Sequence, residues 1–243
     1  MRNRLSCHRC DSRSGGRFAF TLIDLLLAIA IIAILAGLLL PTLSRGKESA
    51  RGVACVNNIR QIGIASSVYS VDARGSLPSF RDWLYTTPGD LTSGRLYPYV
   101  KSKPVYLCPT DKLQLGSKQR PTSPTMTPSP PGGFAKLNHL RDYSYAMNCE
   151  ICHATDVAAF LEPPKTLLFM EGSLATNDYT GMVGPAFVSQ GLAFRHNNRG
   201  HLVLGDLHVE TMNKKQYDKV QKTKRFWFPT DDTTGPGGMG FSN

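Results

Sequence analysis

The chain has 243 residues, 41% of them hydrophobic and 19% charged. That is enough to bury one good core, and a proline-rich stretch near the middle argues against two large independent domains. The 28 Lys and Arg against 18 Asp and Glu give a formal charge of +10, which suits an anionic partner such as nucleic acid, phospholipid headgroups or acidic polysaccharide. Part of the excess is local, because five arginines and one aspartate precede Phe20 and the remainder carries +6, a surplus common in proteins that bind no polyanion.

Residues 18–40 read FAFTLIDLLLAIAIIAILAGLLL, with sixteen consecutive apolar residues after Asp24. As a helix this run is long enough to cross a hydrocarbon core of about 30 Å. A soluble core helix is seldom apolar on every face over such a length. A secretory signal has a shorter apolar region, about 7–15 residues, and a small-x-small exit that is missing here. Arg2, Arg4, Arg9, Arg13 and Arg17 precede the run, so the positive-inside bias places the N-terminus in the cytoplasm and everything after Pro41 outside. An acid near the start of a membrane helix is costly and usually has a partner, which singles out Asp24.

After Pro41, Cys55, Ile59, Ile62, Ser66 and Tyr69 recur at helical spacing with charged residues between them. This predicts an amphipathic continuation over 41–75 that stops between Asp72 and Gly75, where Leu77-Pro78 follow closely. Short β segments are expected at Trp83-Leu84-Tyr85, Val105-Tyr106-Leu107, 143–147, 166–170 and 201–204. Between them, residues 119–133 (QRPTSPTMTPSPPGG) carry too much proline for a ladder and read as an exposed loop, a candidate site for O-linked sugar. The fold class expected is α+β: a long N-terminal hydrophobic helix packed on a small antiparallel β-sheet, with segments 1–19 (basic leader), 20–40 (membrane helix), 41–75 (continuation) and 76–243 (exported β-rich domain).

Several clusters invite a chemical reading. Asn197-Asn198-Arg199-Gly200 is a hairpin-turn sequence, and alternation after it puts Asp206, His208 and Glu210 on one face. With His196 they have ligand chemistry for zinc or calcium, although a hydrogen-bonded turn network is the commoner arrangement and no metal is expected. Cys149-Glu150-Ile151-Cys152-His153 matches the c-type haem pattern C-x-x-C-H, but one short match without a distal-ligand segment is a weak basis for haem. The basic run 214–225 precedes Phe226-Trp227-Phe228 and could be a single-strand nucleic-acid surface. A solvated basic face beside core aromatics is the commoner case and the one expected. Cys7-His8-Arg9-Cys10 is too short for a zinc site on its own. No nucleophile elbow, phosphate loop or Cys/His pairing points to an enzyme.

The stretch Arg17-Phe18-Ala19-Phe20-Thr21-Leu22-Ile23-Asp24-Leu25-Leu26 resembles the class III prepilin signal of type IV pilin-like proteins and type II secretion pseudopilins. The resemblance implies cleavage between Ala19 and Phe20 by prepilin peptidase, N-methylation of Phe20, and pairing of Asp24 with the new N-terminal amine of a neighbouring subunit. Ala19 and Asp24 stand where the family usually carries Gly and Glu. Pro41 falls twenty-two residues into the implied mature chain, at the family's helix-bending proline. Residues 195–210 resemble the H-x9-DG-H-V element of many prepilin-like proteins through His196, Asp206 and His208, with Leu207 in place of the glycine. Residues 55–63, 107–111 and 144–148 fit the same group. What this implies is a structural subunit in the bacterial inner membrane, single-pass, its C-terminal part periplasmic or extracellular. Together with other pilin-like subunits it would assemble into a filament of a type II secretion or type IV pilus-like system.

Loss of the leader leaves Cys55, Cys108, Cys149 and Cys152 in an oxidising compartment, where three pairings are open; Cys55 with Cys108 and Cys149 with Cys152 is the set expected. Major pseudopilins of the family can bind calcium near the C-terminus, so Asp231-Asp232 raises that question without a fixed spacing to support it. The alternatives are a membrane-tethered exported binding protein that does not polymerise, and an anchored haem protein using Cys149, Cys152 and His153.

Overall fold

The structure is a computed structural model that describes residues 22–117, 140–151, 156–175, 178, 181–185 and 190–232. Ala19, Phe20, Cys152, His153 and the loop 119–133 lie outside the described residues. The chain divides into two compact units, Met1–Ser44 and Arg45–Asn243. In the first, helix α1 (Leu22–Asp72) begins, with Asp24 in its first turn, where a negative charge favours the helix dipole. Its apolar residues are good helix formers, and fourteen large ones between Leu22 and Leu43 are at least half exposed. Pro41 sits inside the helix and removes the amide that would bond four residues back.

In the second unit, residues 45–72 of α1 bury Gly52, Cys55, Ile59, Ile62, Gly63, Ala65, Ser66 and Ser70, a spacing of three and four that lines up one face. Tyr69, expected on that face, is partly buried and packs edge-on against Tyr99 of the short helix α2 (Tyr97–Val100), with ring centres 5.8 Å apart. Arg74 and Gly75 then take left-handed backbone (φ 56° and 93°). The Gly75 amide donates back to the Ser70 carbonyl at 2.7 Å, a closure that ends a helix.

Five strands follow: β1 (Tyr145–Asn148), β2 (Leu167–Glu171), β3 (Met182–Val183), β4 (Arg199–Leu204) and β5 (Val209–Asn213), in the spatial order β3-β1-β2-β4-β5. The sheet is mostly antiparallel, as expected, with one parallel pairing at its edge, where β1 and β3 meet through Met147↔Met182 and Asn148↔Val183. Both faces are covered. Tyr145, Met147, Phe169 and Val203 join Cys55, Ile59 and Ile62 of α1 together with Trp83 and Tyr106. Their neighbours Ala146, Met170, Leu202 and Leu204 face Tyr217, Phe226, Trp227 and Phe228. The period-two alternation of a strand divides the core this way. In β2 the register shifts between Leu167 and Phe169, and the bulge lets adjacent Leu168 and Phe169 both enter the α1-side core.

Two expected strands are not strands. Trp83, Leu84 and Tyr85 are fully buried but run through a bend, stitched by the amides of Arg95 and Leu96 to the Asp82 and Trp83 carbonyls. Val105 and Tyr106 lie in a 3-10 turn, Lys103–Tyr106, started by Pro104. Their aromatic and branched content reflects burial rather than ladder pairing. The turn before β4 is tighter than expected. Asn197 and Asn198 both adopt positive φ (50° and 61°) and His196 and Arg199 exchange backbone bonds at 3.0 and 2.9 Å, a type I′ geometry. Gly200 therefore belongs to the strand.

At Gly200 an added Cβ would lie 2.2 Å from the Ala193 carbonyl oxygen. We expect Gly200→Ala to cost about 1–3 kcal/mol, seen as a lower denaturation midpoint of the full chain in detergent. Gly116→Ala, with nothing within 4 Å, should leave that midpoint unchanged or raise it; equal midpoints for both variants would contradict the packing described.

Candidate functional site

Where α1 crosses the sheet, four buried side chains with ligating or nucleophilic atoms converge: Cys55, Cys108, Glu171 and His196, all within 4.8 Å of one another. Each is placed by a different local device. Cys55 lies on the buried stripe of α1, two helical turns after Glu48 on the same side. Cys108 caps helix α3 (Pro109–Gly116) in extended backbone, with Pro109 in the first turn, where a missing amide costs nothing; its own amide donates to Ser144 Oγ at 2.9 Å. Glu171 ends β2, and His196 opens the tight turn into β4.

His196 is the hub. Its Nδ1 lies 2.8 Å from Glu48 Oε1, and its Nε2 lies 3.0 Å from Glu171 Oε1 and 3.3 Å from Cys108 Sγ. Each ring nitrogen faces a carboxylate, and carboxylates accept, so the surroundings favour the protonated ring. Burial opposes that charge, yet the bonds to Cys108 and Glu171 raise the His196 pKa to about 10. The carboxylates are satisfied in turn. Thr110 Oγ1 donates to Glu48 at 2.7 Å, and the His201 amide donates to Glu171 Oε2 at 3.0 Å. For Glu48 burial works toward a higher pKa, but the Thr110 and His196 bonds outweigh it and the net shift is downward. The His201 ring stacks on His196 with centres 5.1 Å apart, and burial pushes its pKa down.

The two sulfurs lie 2.6 Å apart. The bond from Cys55, reinforced by His196, holds the Cys108 thiol below its ordinary value against the effect of burial. Cys55, donating to its neighbour and buried, is pushed well up. The site is thus asymmetric: of the two thiols, Cys108, beside His196, is the one pushed toward the thiolate, and Cys55 is pushed the other way. Such a Cys/His pairing was not visible in the sequence.

Behind Cys108, α3 turns Asp111 into a second buried cluster. Arg141 grips both Asp111 oxygens, at 2.5 and 3.1 Å. Arg195 Nη2 approaches at 3.1 Å and Ser144 Oγ at 2.6 Å. Burial alone would raise the Asp111 pKa, but Arg141 and Arg195 keep it below the ordinary carboxylate range.

The nine-residue pairing of His196 with Asp206 is not a shared site. The two residues flank opposite ends of β4, whose six residues span roughly 20 Å. Asp206, His208 and Glu210 form a separate, partly exposed network, with His208 Nδ1 2.5 Å from Asp206 Oδ1 and Nε2 3.1 Å from Glu210 Oε1. Glu210, and then Asp206, raise the His208 pKa. Leu207, in the glycine position of the resembled element, adopts φ 70°, so the left-handed turn persists with a residue for which it costs roughly 1–2 kcal/mol.

Cys149 is buried and hydrogen-bonds to Glu150 at 3.5 Å; its expected partner, Cys152, lies outside the described residues. Asp231 accepts from Arg225 at 2.7 Å. In the basic run, helices α4 (Lys214–Val220) and α5 (Lys224–Trp227) place Phe226, Trp227 and Phe228 in the core, away from any base that would stack on them. Glu48 and Glu171 carried no sequence signal, being lone carboxylates whose partners arrive from elsewhere in the fold. No family model matches the chain, and neither a curated protein nor a solved structure is significantly similar to it.

Asp111→Asn should destabilise the protein by about 3–5 kcal/mol, because two guanidinium groups lose their buried counter-charge. The folded pKa of Asp111 is depressed, so its contribution is complete above about pH 4 and lost as pH falls through the folded value. Thermal melts from pH 7 down to pH 3 should therefore show a steeper acid decline in the wild type than in Asp111→Asn; parallel declines would count against it.

Proposed function

We propose that this chain is a pilin-like structural subunit, a pseudopilin held in the inner membrane by the start of α1 and assembled through that helix into a periplasmic filament. The observation that carries the reading is the apolar first part of α1. An 18-residue window of it is long and apolar enough to cross a membrane and is 0% buried within the protein. Each of its Leu and Ile side chains is worth about 1.5–3 kcal/mol when withdrawn from water. That surface is suited to lipid and to equivalent helices of other subunits, and its apolar circumference favours a packed bundle of helices over docking along one stripe.

In this reading prepilin peptidase cuts the Ala19–Phe20 bond and the new Phe20 amine is methylated. Asp24, one helical turn on, pairs with the amine of an adjacent subunit. Within hydrocarbon the attraction between two such charges offsets the burial of both. Pro41 permits a bend where the apolar part gives way to the amphipathic one. The sheet, covered on both faces by its own chain, serves as a rigid body displayed outside the membrane, and no catalytic role is assigned to it.

The test is the state of the N-terminus and of the helix in native membranes. Intact mass should place the first residue at Phe20 with one added methyl group. Single cysteines introduced at Leu25 or Leu26 should crosslink into a ladder of oligomers. Asp24→Ala should abolish the ladder while the protein stays in the membrane fraction. A protein that retains Met1 and gives only monomers would instead be a tethered, non-polymerising one.

A further inference from the structure

We propose that Cys55 and Cys108 are joined as a disulfide in the exported protein, and that His196, held between Glu48 and Glu171, is the proton acceptor that prepares Cys108 for its closure. The proposal rests on the exported placement, which supplies an oxidising compartment.

Geometry separates a disulfide from a metal site. Zinc with two thiolate ligands at about 2.3 Å in tetrahedral geometry keeps the sulfurs about 3.8 Å apart. Here they lie 2.6 Å apart, nearer than even two carbon atoms in van der Waals contact, at about 3.5–4.0 Å. Both sulfurs are fully buried, so the pair is shielded from exchange once closed. The carboxylate, imidazole and thiol of Glu48, His196 and Cys108 follow one another at 2.8 and 3.3 Å, the order in which a base is oriented by an acid and acts on a thiol.

The chemistry balances with a disulfide as oxidant, either oxidised glutathione or the disulfide of an oxidoreductase. The Cys108 thiolate, its proton held by His196, attacks one sulfur of that disulfide. The oxidant's S–S bond breaks, and the departing thiolate leaves with the proton from His196. Cys55 then attacks Cys108 Sγ, giving its proton to His196, a ring nitrogen of which lies within 4.8 Å. The second thiol departs carrying that proton. Two protein thiols have lost two electrons and one disulfide has become two thiols.

The charged and titratable groups around Cys108 are Cys55 and Glu48 of α1, Asp111 of α3, Glu171 of β2, Tyr145 of β1 and His201 of β4. Of the nitrogen bases among the described residues, His196 Nε2 stands against the Cys108 sulfur, at 3.3 Å.

The test uses full-length protein extracted from membranes with free thiols blocked at once. Non-reducing peptide mapping should find the Cys55 and Cys108 peptides linked. Protease added to spheroplasts should digest the globular part. Both peptides blocked in a protease-accessible protein would overturn the disulfide alone; both blocked in a protease-shielded protein would overturn the exported reading as well. Stoichiometric zinc on unlinked cysteines would also overturn it. After reduction in detergent, reoxidation by oxidised glutathione at pH 7 should slow about tenfold or more in His196→Gln, and the difference should shrink by pH 9, where the thiol ionises unaided. Glu48→Gln, which keeps the imidazole, should give a smaller slowing with the same pH trend. Equal rates for the wild type and both variants at pH 7 would overturn the role given to His196.

Discussion

The imidazole of His196 is gripped by a carboxylate on each ring nitrogen, Glu48 from a helix and Glu171 from a strand, in a region almost closed to water. Withdrawing three ionised groups from solvent costs several kcal/mol apiece and is offset only when every donor and acceptor is matched. Here the matching is nearly complete. Thr110 and the His201 amide complete the carboxylates, and His201, held neutral by its surroundings, stacks on the charged ring without repelling it. The cluster adds little net stability on this accounting, but it penalises any other seating of α1. A helix shifted by one residue swings Glu48 about 100° around its axis and leaves a bare imidazolium in the interior.

Around that point the two cores follow from simple geometry. A sheet covered on both faces can use almost no polar residue in its middle strands, and β1 and β2 are buried at every position. The exceptions are informative. Asn148 sends its amide to the Leu167 and Trp227 carbonyls at 2.9 and 2.7 Å, tying β1 to the end of α5. Glu171 is the acid used by His196. Asn148 and Glu171 are thus joints between layers, each held by partners from other elements.

Much of this architecture was legible in the sequence, for physical reasons that also set the limits. The apolar run and the buried stripe of α1 depend only on local pattern, and 143–147, 166–170 and 201–204 were recognisable as strands because β-rich runs between turn residues have few other uses. The misread segments, 83–85 and 105–107, have the same composition, since Trp83 and Tyr106 are there to fill the core against Phe169. The two-residue β3 and its parallel pairing depend on contacts that no local window contains. At the site, Cys55 and Cys108 were legible as a pair, but His196 was not connected with them. His196 was paired with Asp206 through the resembled H-x9-DG element, whereas an extended strand carries two such residues apart. Glu48 and Glu171 needed the fold itself, because a carboxylate reveals its burial only when its partner is known.

The separation of His196 from Asp206 gives the hairpin the character of a ruler. Between the type I′ turn at one end of β4 and the left-handed Leu207 at the other, the apolar residues of the strand are committed to one core or the other: Val203 to the α1 side, Leu202 and Leu204 to the side of Trp227. One residue added or lost between these marks would reverse that allegiance for everything beyond it and bring the second turn round facing the wrong layer. The length of this segment is therefore under far tighter restraint than its composition. Variation among Leu, Ile and Val is tolerable there, whereas a single insertion is not.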